Sequence, residues 1–435
     1  MRNIRILKAA WREPALVASA FADEPYALVL LSDGERGRWS YLMRASETVL
    51  TVSANDGRDA LAALTDLIGP LEPAEYDGPP FQGGVAGLAA YELGDRIESL
   101  GLARAAGWPD LICARYDTLL AFDHTRREVL GIGRNEFEAR AALAWLDAPC
   151  LPPVFGRLAA RLTCEPPRRY EAAVTEITGR IAAGEIFQAN IARAWSGSLT
   201  PSARPYDLFA RLASQSPAPF AAYLRLPGRA VVSNSPERFV SLTPEGIAET
   251  RPIKGTARRG RNPAEDACLS AALLASQKDR AENLMIVDLM RNDLARVSVP
   301  GSVSAPELCR LETFANVHHL VSTVRSRLSP GMGAADLLRA AFPPGSITGA
   351  PKVQAMKVIS QHEAPRGPFF GSMFWAGFDG AFDSSVLIRT VAFEEDGDGW
   401  RFEARAGGGI VADSQPVTER RETEAKFAAV LAALT

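Results

Sequence analysis

Three consecutive glycines, Gly407, Gly408 and Gly409, sit in ARAGGGIVADS, just ahead of a helical pattern that runs to the C-terminus. Such a run ends a strand and lets backbone N–H groups approach a ligand closely. A flexible turn is the plainer reading of the same residues. In the helix that follows, PVTERRETEAKFAAVLAAL, Glu419, Glu422 and Lys426 fall at i, i+3 and i+7 and share one face. Val430 and Leu434 continue from Lys426 in steps of four, so the charged face runs towards the side that packs inward. Solvated Glu/Lys pairs are common on helices. The functional reading is carboxylate oxygens offered to a hard cation such as Mg2+, which takes few protein carboxylates and keeps waters or substrate oxygens.

Four further segments carry chemistry. FPPGSITGAPKVQAMKVI is a Gly/Ser/Thr loop entering a helix with Pro351 in its first turn. Such a junction aims unpaired N–H groups at an anion, or is simply a capped helix. In RPIKGTARRG, Lys254 has apolar or small neighbours, whereas Arg258, Arg259 and Arg261 look like a solvated basic run. A desolvated lysine loses pKa and becomes a usable nucleophile; a structural lysine in a strand is the alternative. AENLMIVDLMRNDLARV offers Glu282 as a further metal ligand or as one surface charge of an amphipathic helix. His318 and His319 in NVHHLVSTV read as general acids near pH 7 or as satisfied core histidines.

Around these segments the chain reads as a mixed α/β protein. ALVLLS and RWSYLM look like strands, DALAALTDLI like a helix closed by Gly69 and Pro70, and DTLLAFDHTRREVLGIG like a hairpin. Pro152, Pro153, Pro166 and Pro167 mark a linker. The expected division is a region over 1–150 and a larger unit over 165–435, opened by the helix YEAAVTEITGRIAAGEI. Strands such as RAVVSN and SSVLIRTVAFEE alternate there with helices such as ENLMIVDLM. The net charge of −3 argues against a dedicated nucleic-acid binder. Cys113, Cys150, Cys164, Cys268 and Cys309 are scattered and form no CxxC pair, which fits reduced, mostly buried thiols in a cytoplasmic protein. Neither a signal peptide nor a membrane span is expected.

Taken in order, SNSPERFV, RPIKGT, MIVDLMRNDLARV, VHHLVSTV, FPPGSITGAPKVQAM, SSVLIRT, AGGGIVADS and ERRETEAK resemble the chorismate-utilising enzymes from about Arg169 to the C-terminus. That resemblance implies an anthranilate-synthase-component-I-like α/β (α+β) fold, two β-sheets packed as a sandwich with helices outside. It makes Glu282, Glu419 and Glu422 the acids around Mg2+ and His319 the residue near the leaving hydroxyl. Gly407, Gly408, Gly409 and Arg389 become the carboxylate cradle. Thr256, Thr348, Gly349 and Lys426 belong with the substrate pocket. LVLLSDGERGRWSYL is similar to the segment that binds tryptophan in these synthases, although LLSDGE departs from the usual Leu-Leu-Glu-Ser.

Two positions discriminate within the family. Water-using members carry an activating lysine where this chain has Gln188, which favours ammonia as nucleophile. PIKGT is the aminodeoxychorismate synthase form and PIAGT that of anthranilate synthases, so Lys254 is expected to attack the ring covalently. The implied product is 4-amino-4-deoxychorismate, on the route to 4-aminobenzoate and folate. Anthranilate formation and a non-catalytic chorismate- or tryptophan-binding subunit are the alternatives. Phe369 in RGPFFGS replaces a family tyrosine and removes a hydroxyl contact. No glutaminase nucleophile is evident, so ammonia is expected from a separate glutamine amidotransferase subunit.

Overall fold

The computed structural model describes residues 4–72, 78–152, 154, 156–313 and 317–435; Pro153 of the expected linker lies outside them. Local signals act as their chemistry requires. The Asp59 carboxylate accepts from the N–H groups of Leu61 and Ala62 and starts the helix Ala60–Ile68, which Gly69 ends at φ 76°. The hairpin Leu119–Asp123 and Glu128–Gly133 forms in the register Leu119↔Ile132. VHHLVSTV resolves as part of the strand Val317–Arg327, and ENLMIVDLM lies in the helix Gln277–Ala295.

Among the described residues the strands form two antiparallel sheets, one of 12 strands and one of 10. A core including Tyr41, Leu224 and Val231 from the first sheet and Leu88, Ile112 and Met373 from the second joins them face to face. Helices cover the outer faces. Phe209 and Phe427 pack on Val232 and Phe393 of the first sheet, while Leu64, Ile286 and Leu338 pack on Val240 and Val324 of the second. The mixed α/β sandwich expected from the sequence is the fold observed.

The N-terminal region does not fold as a layer of its own. Leu28–Leu31 pairs with Phe220–Leu226 in the register Leu31↔Ala221. Gly84–Ala89 pairs with Ser372–Gly377 in the register Ala89↔Ser372. The stretches 1–150 and 165–435 therefore share both sheets, because the buried N-terminal strands need hydrogen-bonding neighbours that only the later strands supply.

SSVLIRTVAFEE, expected as one strand, is two. Phe382–Val386 belongs to the second sheet and Thr390–Asp396 to the first, and the chain passes between them through Arg389 at φ 51°. A second crossing lies beside it, where Arg229–Ser235 of the first sheet leads through Pro236 and Glu237 to Arg238–Leu242 of the second. The crossings are stitched together: Asn234 N–H donates to the Arg389 carbonyl and Val386 N–H to the Glu237 carbonyl, each at 3.1 Å.

All five cysteines are free, but only Cys113 and Cys309 are buried, while Cys164 and Cys268 are exposed. The expectation of mostly buried thiols fails because Cys164 ends an edge strand and Cys268 lies on an outer helix. No helix among the described residues is long and apolar enough to cross a membrane.

The shared sheets make a direct prediction. A chain truncated to 165–435 should show no cooperative urea unfolding and no sharp near-ultraviolet circular dichroism, whereas the full chain shows both. A truncated chain that unfolds cooperatively would establish an independent C-terminal unit.

Candidate active site

The strand Ile253–Arg258 pairs with Val317–Arg327 at Ile253↔Val321 and Thr256↔His319, and the register slips between those pairs. The extra residue makes a β-bulge at Lys254 and Gly255, the device by which an edge re-aims a side chain. Gly255 sits at φ +84°, and a Cβ there would lie 2.9 Å from the Asp279 side chain. The bulge turns Lys254 towards the glycine strand Gly399–Ile410. Its Nζ lies 3.3 Å from where a Cβ on Gly409 would stand, and Gln188 Nε2 lies 3.0 Å from the same point. Among the described residues the Lys254 ammonium has neither a hydrogen bond nor an ion pair. Burial pushes its pKa down, and the charge of Lys426 pushes the same way; Glu282, Glu237 and Glu422 act against them.

The glycine strand is bare because both its faces are occupied. It pairs with Gln188–Leu199 in the register Asn190↔Gly409. A Cβ on Gly408 would stand 3.1 Å from Glu419 Oε2, on the face of the terminal helix Pro416–Leu434. From that helix Lys426 donates to the Gly407 carbonyl at 2.9 Å and pairs with Glu422 at 2.7 Å. Glu419 is buried and accepts from the Ser414 hydroxyl at 2.7 Å. Burial raises the pKa of Glu419, with the charge of Glu422 adding to it, and burial also raises that of Glu282.

Lys278 stands among these acids, 3.3 Å from Asp413 and 4.0 Å from Glu282, and also feels Glu419. Among the described residues no three His, Cys, Asp or Glu side chains are gathered closely enough to hold a metal ion as they stand. The donors nonetheless suit a hard cation. They are carboxylates with ammonium groups in partial compensation: burial raises the pKa of Glu282 and Glu419, whereas at Glu422 burial is outweighed by Lys426, which lowers it.

His319 is buried, and its Nδ1 is 2.9 Å from the Thr256 hydroxyl. Burial pulls its pKa down to about 4, so at neutral pH it is an uncharged imidazole rather than an acid poised near pH 7. His318 is the core histidine of the pair, bonded to Thr313 at 2.9 Å and Asp266 at 3.0 Å. Arg389, at its crossing, has no ion pair or hydrogen bond to its guanidinium among the described residues, and Glu237 and Arg36 are its charged neighbours. The Thr348 hydroxyl is spent on the Pro344 carbonyl at 2.8 Å, so this residue shapes the wall without offering a donor. Gly349, at φ +136°, lies so close to Gln188 that a Cβ would fall 2.2 Å from the Gln188 carbonyl. Phe369 is buried with the Arg405 guanidinium 5.2 Å from its ring.

Two groups were not singled out from the sequence. Glu237 is buried at the other crossing and faces Lys254, Lys426 and Arg389. Its carboxyl pKa is raised by burial, which a hydrogen bond from Ser346 partly offsets. An acid placed directly after proline in SNSPERFV was the available signal. Asn190 is the second. Its Oδ1 is buried and unpartnered, as are both amide atoms of Gln188 two residues away on the same face. A separate cavity of about 700 Å³, lined by Ser32, Arg36, Trp39, Phe220 and Trp375, adjoins the LLSDGE segment.

The His319 shift has a measurable consequence. Its folded-state pKa of about 4 lies below the ordinary 6.5, so its contribution to stability is complete above pH 6.5 and is lost as pH falls towards 4. His319→Asn should flatten the urea-unfolding stability profile between pH 6.5 and 4. An unchanged slope would show that the imidazole titrates normally.

Comparison with known proteins adds the lineage. A family profile described as chorismate binding enzyme matches residues 26–432. Aminodeoxychorismate synthase component 1 of Klebsiella aerogenes is 42% identical over 398 residues, covering 89% of this chain and 85% of that protein. Its counterpart from Escherichia coli K12 is 39% identical over 430 residues, covering 96% and 92%. The crystal structure of anthranilate synthase component I from Streptococcus pneumoniae superposes with a TM-score of 0.80 at 28% identity, covering 91% of this chain and 92% of that one.

Proposed function

We propose a function from the premise that this chain belongs to the family of chorismate-binding enzymes: it aminates chorismate to 4-amino-4-deoxychorismate, as an aminodeoxychorismate synthase component 1. The observation that carries this reading is the unpaired Lys254 amine, held by a bulge against the glycine strand with Gln188 beside it. Lowering the pKa of a primary amine raises the fraction present as the nucleophilic neutral form. Alanine at this position would leave only direct substitution.

In the proposed reaction the neutral Lys254 amine bonds to ring C2. The two ring double bonds shift, and the C4–O bond breaks. The Glu237 carboxyl, whose pKa burial raises, would in its protonated form give its proton to the departing hydroxyl, which leaves as water. The neutral His319 holds the leaving oxygen through hydrogen bonding without charging. Ammonia then bonds to C4, the double bonds return, and the C2–N bond to Lys254 breaks. The excess proton on the new ammonium restores Glu237. The sum is chorismate plus ammonia giving 4-amino-4-deoxychorismate and water.

Arg389 and the amides of Gly408 and Gly409 would hold the enolpyruvyl carboxylate. Thr256 orients His319 by its 2.9 Å hydrogen bond. Glu282, Glu419 and Glu422 would hold Mg2+ once Lys278 gives way, and the bound ion would supply positive charge for the ring carboxylate. Gln188, an uncharged amide, has no capacity to deprotonate water, which supports ammonia as the nucleophile. That the relatives are named as a first component supports a separate partner. We assign that partner as a glutamine amidotransferase delivering ammonia in the cytoplasm, for 4-aminobenzoate and folate synthesis.

Lys254→Ala should lower the rate of 4-amino-4-deoxychorismate formation from chorismate, Mg2+ and ammonium by on the order of 10³-fold. The wild-type chain given chorismate without ammonium should gain, by intact mass, chorismate less one water. An active Lys254→Ala enzyme would remove the covalent role, and anthranilate as the product would replace the proposed reaction altogether. Gly409→Ala places a methyl 3.3 Å from the Lys254 nitrogen and 3.0 Å from Gln188 Nε2. It should cost at least about tenfold in kcat with little change in Tm; wild-type kcat would mean that the amine works elsewhere.

A further inference from the structure

We infer that Arg366 is a positioning residue for the reaction proposed above, on which this inference rests: its guanidinium braces the junction of the two walls at Gln188. Those walls also pair directly, through Asn190 N–H to the Thr348 carbonyl at 2.9 Å and Phe187 N–H to the Ala350 carbonyl at 2.8 Å. One wall is the strand Gln188–Leu199; the other is the loop running through Ile347, Thr348 and Gly349. Arg366 Nη2 donates to the Asn190 carbonyl at 2.7 Å, and Nη1 donates to the Ile347 carbonyl at 3.1 Å. One planar group thus spans both walls, one residue from Thr348 on one side and two from Gln188 on the other.

Arg366 is itself held from every direction. Nε and Nη2 donate to the two oxygens of Glu363 at 3.0 and 2.9 Å, and Glu363 also accepts from Ala192 N–H at 2.8 Å on the same strand. The rings of Tyr91 and Phe370 lie 4.5 and 4.4 Å from the guanidinium carbon. Its backbone is pinned as well. Glu92 accepts from Arg366 N–H at 2.6 Å and from Gly367 N–H at 2.8 Å. Side-chain exposure is 2% for Arg366 and 7% for Glu363, so the pair is sealed from solvent and its geometry is not exchanged for water. A buried, fully hydrogen-bonded charge pair is weak evidence of a stability device. Its rigid fork is well suited to setting a distance, which an ammonium on a flexible stem does not do.

The consequence falls on Gln188. Its amide oxygen and nitrogen are buried without partners, and so is Asn190 Oδ1. Hydrogen bonds within the protein therefore leave these amides unanchored, and only the position of the backbone that carries them sets where they stand against Lys254. That position is set by the direct ladder to Gly349–Ala350 and to the glycine strand, with the Arg366 bridge bracing it.

The test is Arg366→Lys and, separately, Glu363→Gln in the full chain. Circular dichroism establishes the folded fraction, calorimetry reads chorismate binding, and kinetics with ammonium give kcat and KM per folded site. The expected result for either variant is at least a tenfold rise in the ammonium KM, with chorismate binding changed less than threefold. Wild-type KM values per folded site in Arg366→Lys would overturn the inference. If Arg366→Lys does not fold, Glu363→Gln decides by the same criterion. A wild-type chain that binds chorismate but forms no aminated product would sink the proposed function. The positioning role would then be judged on whether Arg366→Lys alters quenching of intrinsic fluorescence by chorismate, and no alteration would sink it too.

Discussion

Two backbone hydrogen bonds, from Asn234 N–H to the Arg389 carbonyl and from Val386 N–H to the Glu237 carbonyl, clamp together the two places where the chain passes between the sheets. A strand that leaves one sheet for another gives up its ladder for a residue or two, and its exposed N–H and C=O groups need partners. Here the two crossings satisfy each other. The residues released from both ladders, Glu237 and Arg389, bring an acid and a base close to one another and to Lys254, which arrives from its bulge. The chemistry is thus concentrated where regular pairing is interrupted, on a frame that is rigid on either side.

Charge at this centre is left without full compensation. Lys254 has acids around it but no partner, burial pushes the Glu237 pKa up, and Arg389 has no counter-ion bonded to it. Groups left in that condition raise the free energy of the protein. A side chain at Gly408 would meet Glu419, and one at Gly409 would meet Lys254 and Gln188, so the bare backbone is what allows helix and bulge to approach the strand from opposite faces.

Much of this was legible in the residues. Asp59 and Gly69 bound their helix, the Leu119 hairpin pairs as its alternation implies, and Glu419, Glu422 and Lys426 do share a face beside the glycines. What stayed hidden follows from physics that acts between distant segments. SSVLIRTVAFEE carries no glycine or proline and has β-branched residues on both sides of Arg389, so nothing local marks the left-handed turn there that sends its halves to different sheets. Glu237 looks like any acid after a proline until the crossing buries it. His319 was read with an ordinary imidazole pKa, and only its burial shows it to be uncharged. The proline-rich break suggested two units because sequence distance conceals strand pairing.

That pairing bears on how the chain comes into being. Leu28–Leu31 and Gly84–Ala89 leave the ribosome long before Phe220–Leu226 and Ser372–Gly377, the neighbours each needs. Until those arrive, apolar strands with open edges persist in a nascent polypeptide, the condition in which association with other chains competes with folding. Loop closure over such separations is slow and late. Completion of both sheets therefore waits on the later strands, and the half-made molecule is a natural client for chaperones.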